Sequence, residues 1–227
     1  MKKERTVILF TRFPRERRSK TRLSQEIGGS NAVKLHCAFL ADIFLRFQER
    51  DFDLLVAGAT GDTEEDFTDL LKDHGTFDWF FLPSGTTTDE QIFSSYQIAL
   101  LNYEKAVLTA SDIPQLSVKH IRKMFADLDH FDIVFHMNHD GGTCPQGMRK
   151  AYDLFTPMTA RSISHCSEWR YYLEQLHLKY KVEREILIDI DTIDDLVMFH
   201  HWQNLLGEDS DMFCPITTEL IKKMLAL

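Results

Sequence analysis

The sequence has few cysteines and glycines and no long apolar run. Four of its 227 residues are cysteines and ten are glycines. The cysteines form no CxxC pair, which argues against a zinc ribbon or a disulfide scaffold and favours a reducing compartment. No stretch approaches the roughly 18 apolar residues of a membrane span, and nothing resembles a secretory signal peptide. We therefore expect a cytoplasmic protein without a membrane span.

The charge of the chain is unevenly distributed. The net charge is −9, yet the first 23 residues carry nine basic and two acidic side chains. An acidic body with one basic segment is not typical of a nucleic-acid binder, which spreads lysine and arginine over a whole face. The pattern instead predicts a local site for an anion, with a solvated basic segment as the alternative.

Apolar β-rich runs alternate with segments of helical periodicity. Strands are predicted at 6–11, 53–59, 77–82, 106–110 and 133–137, and helices at 31–49, 64–72, 89–102 and 117–128. This alternation predicts an α/β protein with a mostly parallel, doubly wound sheet in three α/β/α layers.

The last third of the chain has a more mixed pattern. It predicts a helix at 164–176, a strand at 186–190, a helix from Thr192 to about 204 and a final helix from Pro215. Thr192 fits the N-cap of its helix, with Asp195 at the third helical position. We expect one domain over residues 1–227, with a C-terminal helical extension from about 205.

A basic loop follows the first predicted strand. In open parallel sheets, ligands bind beyond the carboxyl ends of the strands. Arg12, Lys20 and Arg22 supply positive charge there, and Thr11 and Thr21 supply hydroxyls, which suits a phosphate group. The loop contains no glycine and no GxxxxGK[ST] motif, so it is not a P-loop.

Two aspartates follow later strands at the same edge of the sheet. Asp112 lies in Ser111-Asp112-Ile113-Pro114, and Asp140 lies in His139-Asp140-Gly141-Gly142. A carboxylate in such a position can ligate Mg²⁺ or Mn²⁺ bound to a diphosphate, although either could be a turn aspartate bonded to local backbone N–H groups. Together with the basic loop, the two aspartates predict a site for a metal–nucleotide diphosphate.

Other polar clusters have simpler interpretations. Four aspartates at a strand-to-helix junction fit helix caps and dipole partners; they are Asp189, Asp191, Asp194 and Asp195. Three histidines lack metal-ligand spacing and are interpreted as surface or packing residues; they are His165, His200 and His201.

Four segments carry a resemblance to a known family. They are LFTRFPRERRSKTRL at 9–23, VLTASDIPQLS at 107–117, DIVFHMNHDGG at 132–142 and ILIDIDTIDDL at 186–196. In this order and spacing they resemble a bacterial glycosyltransferase-like family with the nucleotide-diphospho-sugar transferase (GT-A) fold. That family is related to nucleotidyltransferases of the MobA type, which make molybdopterin guanine dinucleotide, and to those that make phospholactate-guanylyl intermediates.

The resemblance implies a nucleotide bound at the first half of the sheet and a divalent metal near Asp112. The family's nucleotide and phosphate loop corresponds here to Thr11, Arg12, Lys20 and Arg22. Ser111, which precedes Asp112, is grouped with these nucleotide-binding residues. Asp140 corresponds to the family's second acidic position, near the donor or the acceptor.

These features predict a metal-dependent glycosyltransferase that uses a nucleotide-diphosphate sugar as donor. Asp112 and Asp140 are the predicted catalytic and metal-binding residues, with Mg²⁺ or Mn²⁺ as the ion. A nucleotidyltransferase acting on a nucleoside triphosphate is the first alternative, and the absence of a glycine-rich opening loop counts against it.

A catalytically inactive nucleotide-binding protein of the same fold is the second alternative. It is motivated by Ile113 and Gln115, where the family usually has Cys and Asp. Thr143-Cys144-Pro145 also stands where the family usually has an aromatic pair.

Overall fold

The computed structural model describes residues 2–154 and 166–225. Within these residues the strands form one seven-stranded sheet in the order β3-β2-β1-β4-β6-β5-β7. The strands are β1 Lys3–Phe10, β2 Asp53–Ala57, β3 Trp79–Phe81, β4 Tyr103–Ala110, β5 Ile133–Met137, β6 Thr143–Met148 and β7 Tyr180–Val182. The helices are α1 Thr21–Ile27, α2 Gly29–Arg46, α3 Glu64–Leu71, α4 Thr88–Asn102, α5 Val118–Asp127, α6 Cys166–Gln175, α7 Ile193–Leu206 and α8 Pro215–Leu225.

The central strand β1 pairs in parallel with both β2 and β4. Val7, Ile8 and Leu9 in this strand have no exposed surface, as a continuous apolar run in a sheet covered on both faces requires. All ladders between strands are parallel except those of β6, which runs antiparallel to β4 and β5. The predicted mostly parallel, three-layer α/β/α fold is therefore confirmed.

Alternate residues of each strand face opposite layers of helices. Val7, Leu9 and Val107 pack in a core cluster with side chains of α2, α3 and α5. Ile8 and Leu108 pack in a second cluster with side chains of α4 and α6. Two helical layers thus hold the sheet rigid and leave the carboxyl ends of β1 and β4 to form the floor of a site.

The C-terminal helix α8 packs against α2. Leu35 and Phe39 of α2 share a third apolar cluster with Cys214 and Ile221. The buried Asp42 carboxylate of α2 accepts hydrogen bonds from the backbone N–H groups of residues 216 and 217, at 3.1 and 2.8 Å. This contact satisfies donors at the start of α8 that have no partner within the helix.

Three local predictions differ from the structure. The segment 186–190 is not a ladder strand and makes a single parallel bridge, between Asn138 and Leu187. The structure instead has the edge strand β7 at residues 180–182 and the strand β6 directly after the double glycine. The predicted loop after β1 also contains the short helix α1.

Other local predictions agree with the structure. Thr192 caps α7, and its side chain accepts a hydrogen bond from the Asp195 N–H at 3.3 Å. Of the helix predicted at 164–176, residues 166–175 are helical, whereas 164 and 165 lie outside the described residues. Across residues 2–154 and 166–225, no helix is long and apolar enough to cross a membrane.

Candidate active site

An open cleft of about 900 Å³ lies at the carboxyl ends of β1 and β4. Its walls come from the basic loop after β1, the segment after β4, the first turn of α4 and the start of β6. Phe10, Leu108 and Ile92 give it an apolar side. The position agrees with the rule that open α/β sheets bind ligands beyond the carboxyl ends of their strands.

Three aspartates form a carboxylate cluster beside this cleft: Asp112, Asp189 and Asp191. One carboxylate oxygen from each lies within 4.8 Å of the other two. Asp112 follows β4, and the backbone N–H of Ile190 donates to its carbonyl oxygen at 3.1 Å. The side chain of Gln115 also donates to the carbonyl of Ile188 at 2.9 Å, so two hydrogen bonds hold the two segments together.

The carboxylate cluster suits a hard divalent cation. Within the described residues, Asp112 Oδ1 and Asp189 Oδ1 are buried without a hydrogen-bond partner, and leaving such atoms unpaired is costly. Carboxylate oxygens are the ligands that Mg²⁺ and Mn²⁺ prefer. Burial, together with the neighbouring Asp112 charge, raises the pKa of Asp189 to about 8. A cation at this position would lower that pKa and pair with the buried oxygens.

Lys20 brings positive charge into the carboxylate cluster. Its Nζ atom lies 2.7 Å from Asp112 Oδ2 and 3.0 Å from Asp191 Oδ1, and only 6% of its side chain is exposed. Burial alone would lower the pKa of Lys20, but the charges of Asp112 and Asp191 outweigh it and raise that pKa. For Asp112 the two effects have the opposite signs: burial alone would raise its pKa, but the charge of Lys20 holds that pKa below its usual range.

The other cations of the basic loop divide between the cleft and the protein surface. Arg12, Arg18 and Arg22 line the cleft with Lys20. Arg22 lies at the rim, with Nη1 3.4 Å from Asp191 Oδ2. Arg15 points elsewhere and pairs with Asp66 at 2.8 Å. The predicted anion site therefore receives its charge from part of the basic segment.

Thr11 and Ser111, both predicted as nucleotide contacts, line the cleft but are nearly buried. Thr11 Oγ1 donates to Ser111 Oγ at 2.9 Å. Ser111 Oγ also lies 3.0 Å from Nε2 of His36, whose Nδ1 lies 3.3 Å from Ser19 Oγ. Burial and the Lys20 charge lower the pKa of His36 to about 4, so the ring is neutral near pH 7. This network ties the ends of β1 and β4 to the basic loop.

Asp140 does not join the carboxylate cluster. Its side chain is exposed, and Oδ1 accepts a hydrogen bond from the backbone N–H of Gly142 at 2.8 Å. This is the local Asp-Gly turn considered as an alternative in the sequence analysis. The geometry therefore groups Asp112 with Asp189 and Asp191, where the sequence predicted a metal shared by Asp112 and Asp140.

Sequence reasoning missed Asp189 and Asp191 as candidate ligands because it interpreted them as helix caps. That interpretation holds for Asp195, whose Oδ2 accepts hydrogen bonds from the backbone N–H groups of Asp191 and Thr192 at 3.0 and 2.7 Å. A usable signal was present in the alternation of Asp189, Ile190 and Asp191. Ile190 is fully buried, whereas Asp189 and Asp191 on either side of it both contribute to the carboxylate cluster.

Cys144 also borders the cleft. Burial raises the pKa of its thiol well above the usual range, so the sulfur stays protonated at neutral pH. Because the thiolate is the nucleophilic form of cysteine, the site does not favour covalent catalysis through this residue.

Comparison with solved structures identifies the fold as that of nucleotide-diphospho-sugar transferases. A protein of Desulfovibrio desulfuricans G20, whose assignment as a nucleotide-diphospho-sugar transferase is itself provisional, is 23% identical. The similarity has a TM-score of 0.82 and covers 99% of this chain and 96% of that one. The resemblance seen in the sequence is thus confirmed at the level of the fold.

Two further structures share this fold at greater distance. A 4-diphosphocytidyl-2C-methyl-D-erythritol synthase of Anaerococcus prevotii is 17% identical, with a TM-score of 0.55 over 89% of this chain and 96% of that one. A cytidylyltransferase of Leptospira borgpetersenii is 13% identical, with a TM-score of 0.57 over 99% and 94%.

At the level of sequence, residues 80–161 match the family model described as "Uncharacterized protein conserved in bacteria (DUF2064)". None of the curated proteins matches the chain.

Proposed function

We propose that this protein is a divalent-metal-dependent transferase that acts on a nucleotide-diphosphate sugar. The observation that carries the proposal is the carboxylate cluster, which lies beside a cleft lined by Arg12, Arg18, Lys20 and Arg22. A diphosphate bridged by a metal needs oxygen ligands on one side and cationic donors on the other. Both sets are present on one edge of the sheet.

The residues of this edge would divide the work as follows. Asp112, Asp189 and Asp191 would hold Mg²⁺ or Mn²⁺, which supplies positive charge against the negative charge that develops on a departing diphosphate. The guanidinium groups of Arg12 and Arg22 would bind phosphate oxygens. Such donors are fixed in advance on a rigid scaffold, so they stabilise developing charge with little reorganisation.

The apolar side of the cleft offers room for the rest of the donor. A volume of about 900 Å³ lies within the ~300–1,000 Å³ common for small-molecule sites. Phe10, Leu108 and Ile92 could pack against a nucleoside there. On the acceptor side, Asp140 remains a candidate to orient a hydroxyl, since Gly142 two residues later lines the cleft.

Nucleotidyl transfer is the second candidate function. The likeness to two cytidylyltransferases favours it, and four cationic side chains along the cleft suit the higher charge of a triphosphate. The two reactions differ in what they release. Glycosyl transfer releases a nucleoside diphosphate, whereas nucleotidyl transfer releases pyrophosphate.

Thermal unfolding with Mn²⁺ and a panel of nucleotide sugars, nucleoside diphosphates and nucleoside triphosphates tests the proposal. A ligand at a hundred times its Kd should add about 2.7 kcal/mol to the free energy of unfolding. The stabilising nucleotide is then incubated with candidate acceptors, and the released product is identified by chromatography. Asp112→Asn should lose turnover, and Glu174→Gln, which removes an exposed carboxylate of α6, should retain it.

The outcomes separate the three possibilities. Release of a nucleoside diphosphate supports sugar transfer, and release of pyrophosphate supports nucleotidyl transfer. Binding of nucleotide without any turnover favours the inactive nucleotide-binding protein. If no nucleotide stabilises the chain with or without metal, the proposed function is wrong.

A further inference from the structure

Lys20 occupies an unusual position for a lysine. Lysine side chains are almost never fully buried unless they are paired, and here the ammonium group is nearly enclosed between two carboxylates of different chain segments. Lys20 has left-handed backbone angles, with φ 42° and ψ 58°, a region that residues other than glycine seldom adopt. The chain thus adopts an unfavourable backbone conformation while Lys20 holds its charge inside the carboxylate cluster.

The ammonium and a divalent ion would compete for the same oxygens. Lys20 Nζ is hydrogen-bonded to Asp112 Oδ2 and Asp191 Oδ1, and both residues belong to the group whose oxygens lie within 4.8 Å of one another. A divalent ion in that group would stand a few ångströms from the ammonium, where two cations repel each other strongly. A single carboxylate oxygen that donates electron density to a metal is also a weaker acceptor for an ammonium.

Resting on the proposed function, we propose that Lys20 is a built-in counter-ion that excludes a divalent cation from the carboxylate cluster until a phosphate-bearing ligand draws the ammonium away. The pairing within the carboxylate cluster gives the reason. Lys20 and the rim residue Arg22 pair with Asp112 and Asp191, whereas Asp189 Oδ1 is buried without a hydrogen-bond partner among the described residues, so the cluster still offers an oxygen to a cation. An anionic phosphate in the cleft would give the ammonium another partner, beside Arg12 and Arg18.

The consequence is coupling between metal and anion. Each should raise the affinity of the other, because linkage between two sites is reciprocal. The metal-free, ligand-free protein should bind Mn²⁺ weakly, although three carboxylates are already in place. Removal of the Lys20 charge should make the metal site competent without any anion.

This proposal can be tested by Mn²⁺ binding to the full chain, which needs no measurement of activity. The free ion is quantified by its electron paramagnetic resonance signal. Lys20→Met removes the charge and keeps an unbranched side chain, and Lys20→Gln is a second variant with a polar end. The matched control is Arg15→Met, which removes one positive charge from the same loop. Arg15 pairs with Asp66 at 2.8 Å, outside the carboxylate cluster and the cleft lining. Circular dichroism checks that each variant is folded.

We expect either Lys20 variant to bind Mn²⁺ about tenfold or more tightly than the wild type, within the range common for coupled sites. Arg15→Met should change the affinity much less. In the wild type, sulfate should strengthen Mn²⁺ binding relative to chloride at equal ionic strength, because sulfate mimics a phosphoryl group and chelates Mn²⁺ weakly. The sulfate effect should be lost in the Lys20 variants.

Two results would overturn the proposal and point to different causes. If the wild type and the Lys20 variants bind Mn²⁺ equally well, Lys20 does not compete, but the metal site of the proposed function stands. If no form binds Mn²⁺ with or without sulfate, the carboxylate cluster is not a metal site and the proposed function loses its metal as well.

Discussion

Two groups of acidic side chains on this molecule differ in how their charge is balanced. Two carboxylates outside the cleft lining, Asp127 and Glu183, pair with Lys123 and Lys181. Lys123 Nζ lies 2.9 Å from Asp127 and 2.5 Å from Glu183, and Lys181 Nζ lies 2.7 Å from Asp127. We call these four residues the ion-pair network. In the carboxylate cluster, three carboxylates share one buried ammonium and an arginine at the rim.

One aspartate from each group, Asp127 and Asp189, has its pKa shifted in the opposite direction to the other. Burial would raise the pKa of Asp127, but the hydrogen bonds and charges of the ion-pair network hold it well below its usual range. In the carboxylate cluster, burial and like charge raise the pKa of Asp189 to about 8. A balanced network stabilises the fold, whereas a carboxyl group whose pKa is raised by burial and a like charge is typical of a functional site. The ratio of carboxylates to cations therefore distinguishes the ion-pair network from the carboxylate cluster better than the number of acidic side chains does.

The largest expected effect is on metal binding. Asp112→Asn replaces a charged carboxylate with a neutral amide, which is a weaker ligand, and should weaken Mn²⁺ binding by at least the ~10–100-fold that loss of outer-shell partners costs. Asp127→Asn in the ion-pair network should leave Mn²⁺ affinity unchanged. Calorimetric titration of both variants measures the contrast, and equal losses in the two would remove the distinction between the groups.

The next effect concerns pH and a histidine next to the ion-pair network. Burial lowers the pKa of His136 to about 4, compared with an ordinary value near 6.5. Between pH 6.5 and 4 the unfolded chain therefore binds more protons than the folded chain does. The contribution of neutral His136 to stability is present above pH 6.5 and is lost as the pH falls toward 4. That loss should reach about 3 kcal/mol at most.

Urea unfolding of wild type and His136→Asn between pH 7.5 and 4.5 measures this contribution. The variant is expected to be less stable at neutral pH and to lose less stability on acidification. His36, with a pKa also lowered to about 4, adds a similar slope in both proteins. Parallel pH profiles for wild type and variant would show that His136 does not carry the effect.

The smallest effect is on the free energy of unfolding. Its sign should differ between a substitution in the ion-pair network and one in the carboxylate cluster. Asp127→Asn leaves Lys123 and Lys181 to share the single carboxylate of Glu183 within the ion-pair network and should lower the free energy of unfolding by about 1–2 kcal/mol, between the values for exposed and buried pairs. Because the fold raises the pKa of Asp189 to about 8, this carboxyl group must take up a proton when the chain folds at neutral pH, which costs stability. Asp189→Asn removes that cost and should leave stability unchanged or raise it, as expected where function conflicts with stability. Urea unfolding in the presence of a chelator measures both, and a destabilised Asp189→Asn would argue that Asp189 is structural.

Much of the fold follows from local patterns in the sequence. The buried run in β1 and the alternation of strands with helices specify parallel pairing without further information. Two departures have tertiary causes. The strand β6 contains Pro145 and Gly147, which speak against a strand locally, but β4 and β5 supply pairing on both sides. The apolar run at 186–190 instead makes its backbone contacts with the last residue of β5, with His139 after that strand, and with Asp112.

The candidate site was predicted in part. The basic loop and Asp112 could be placed because both follow buried strands at one edge of the sheet. His36 could not, because its partners Ser19 and Ser111 lie 17 and 75 residues away in sequence. Within α2 it occupies an apolar face between Leu35 and Phe39, where a histidine is most simply a packing residue.

The central claim is that Asp112, Asp189 and Asp191 hold a divalent ion for a nucleotide in the cleft. A crystal soaked with Mn²⁺ and a nucleoside diphosphate, measured for manganese anomalous scattering, tests it most directly. We predict one strong peak about 2 Å from oxygens of all three aspartates, with Lys20 turned toward the phosphates. A peak at Asp140 alone, or none in this cleft while the nucleotide is bound, would contradict the account.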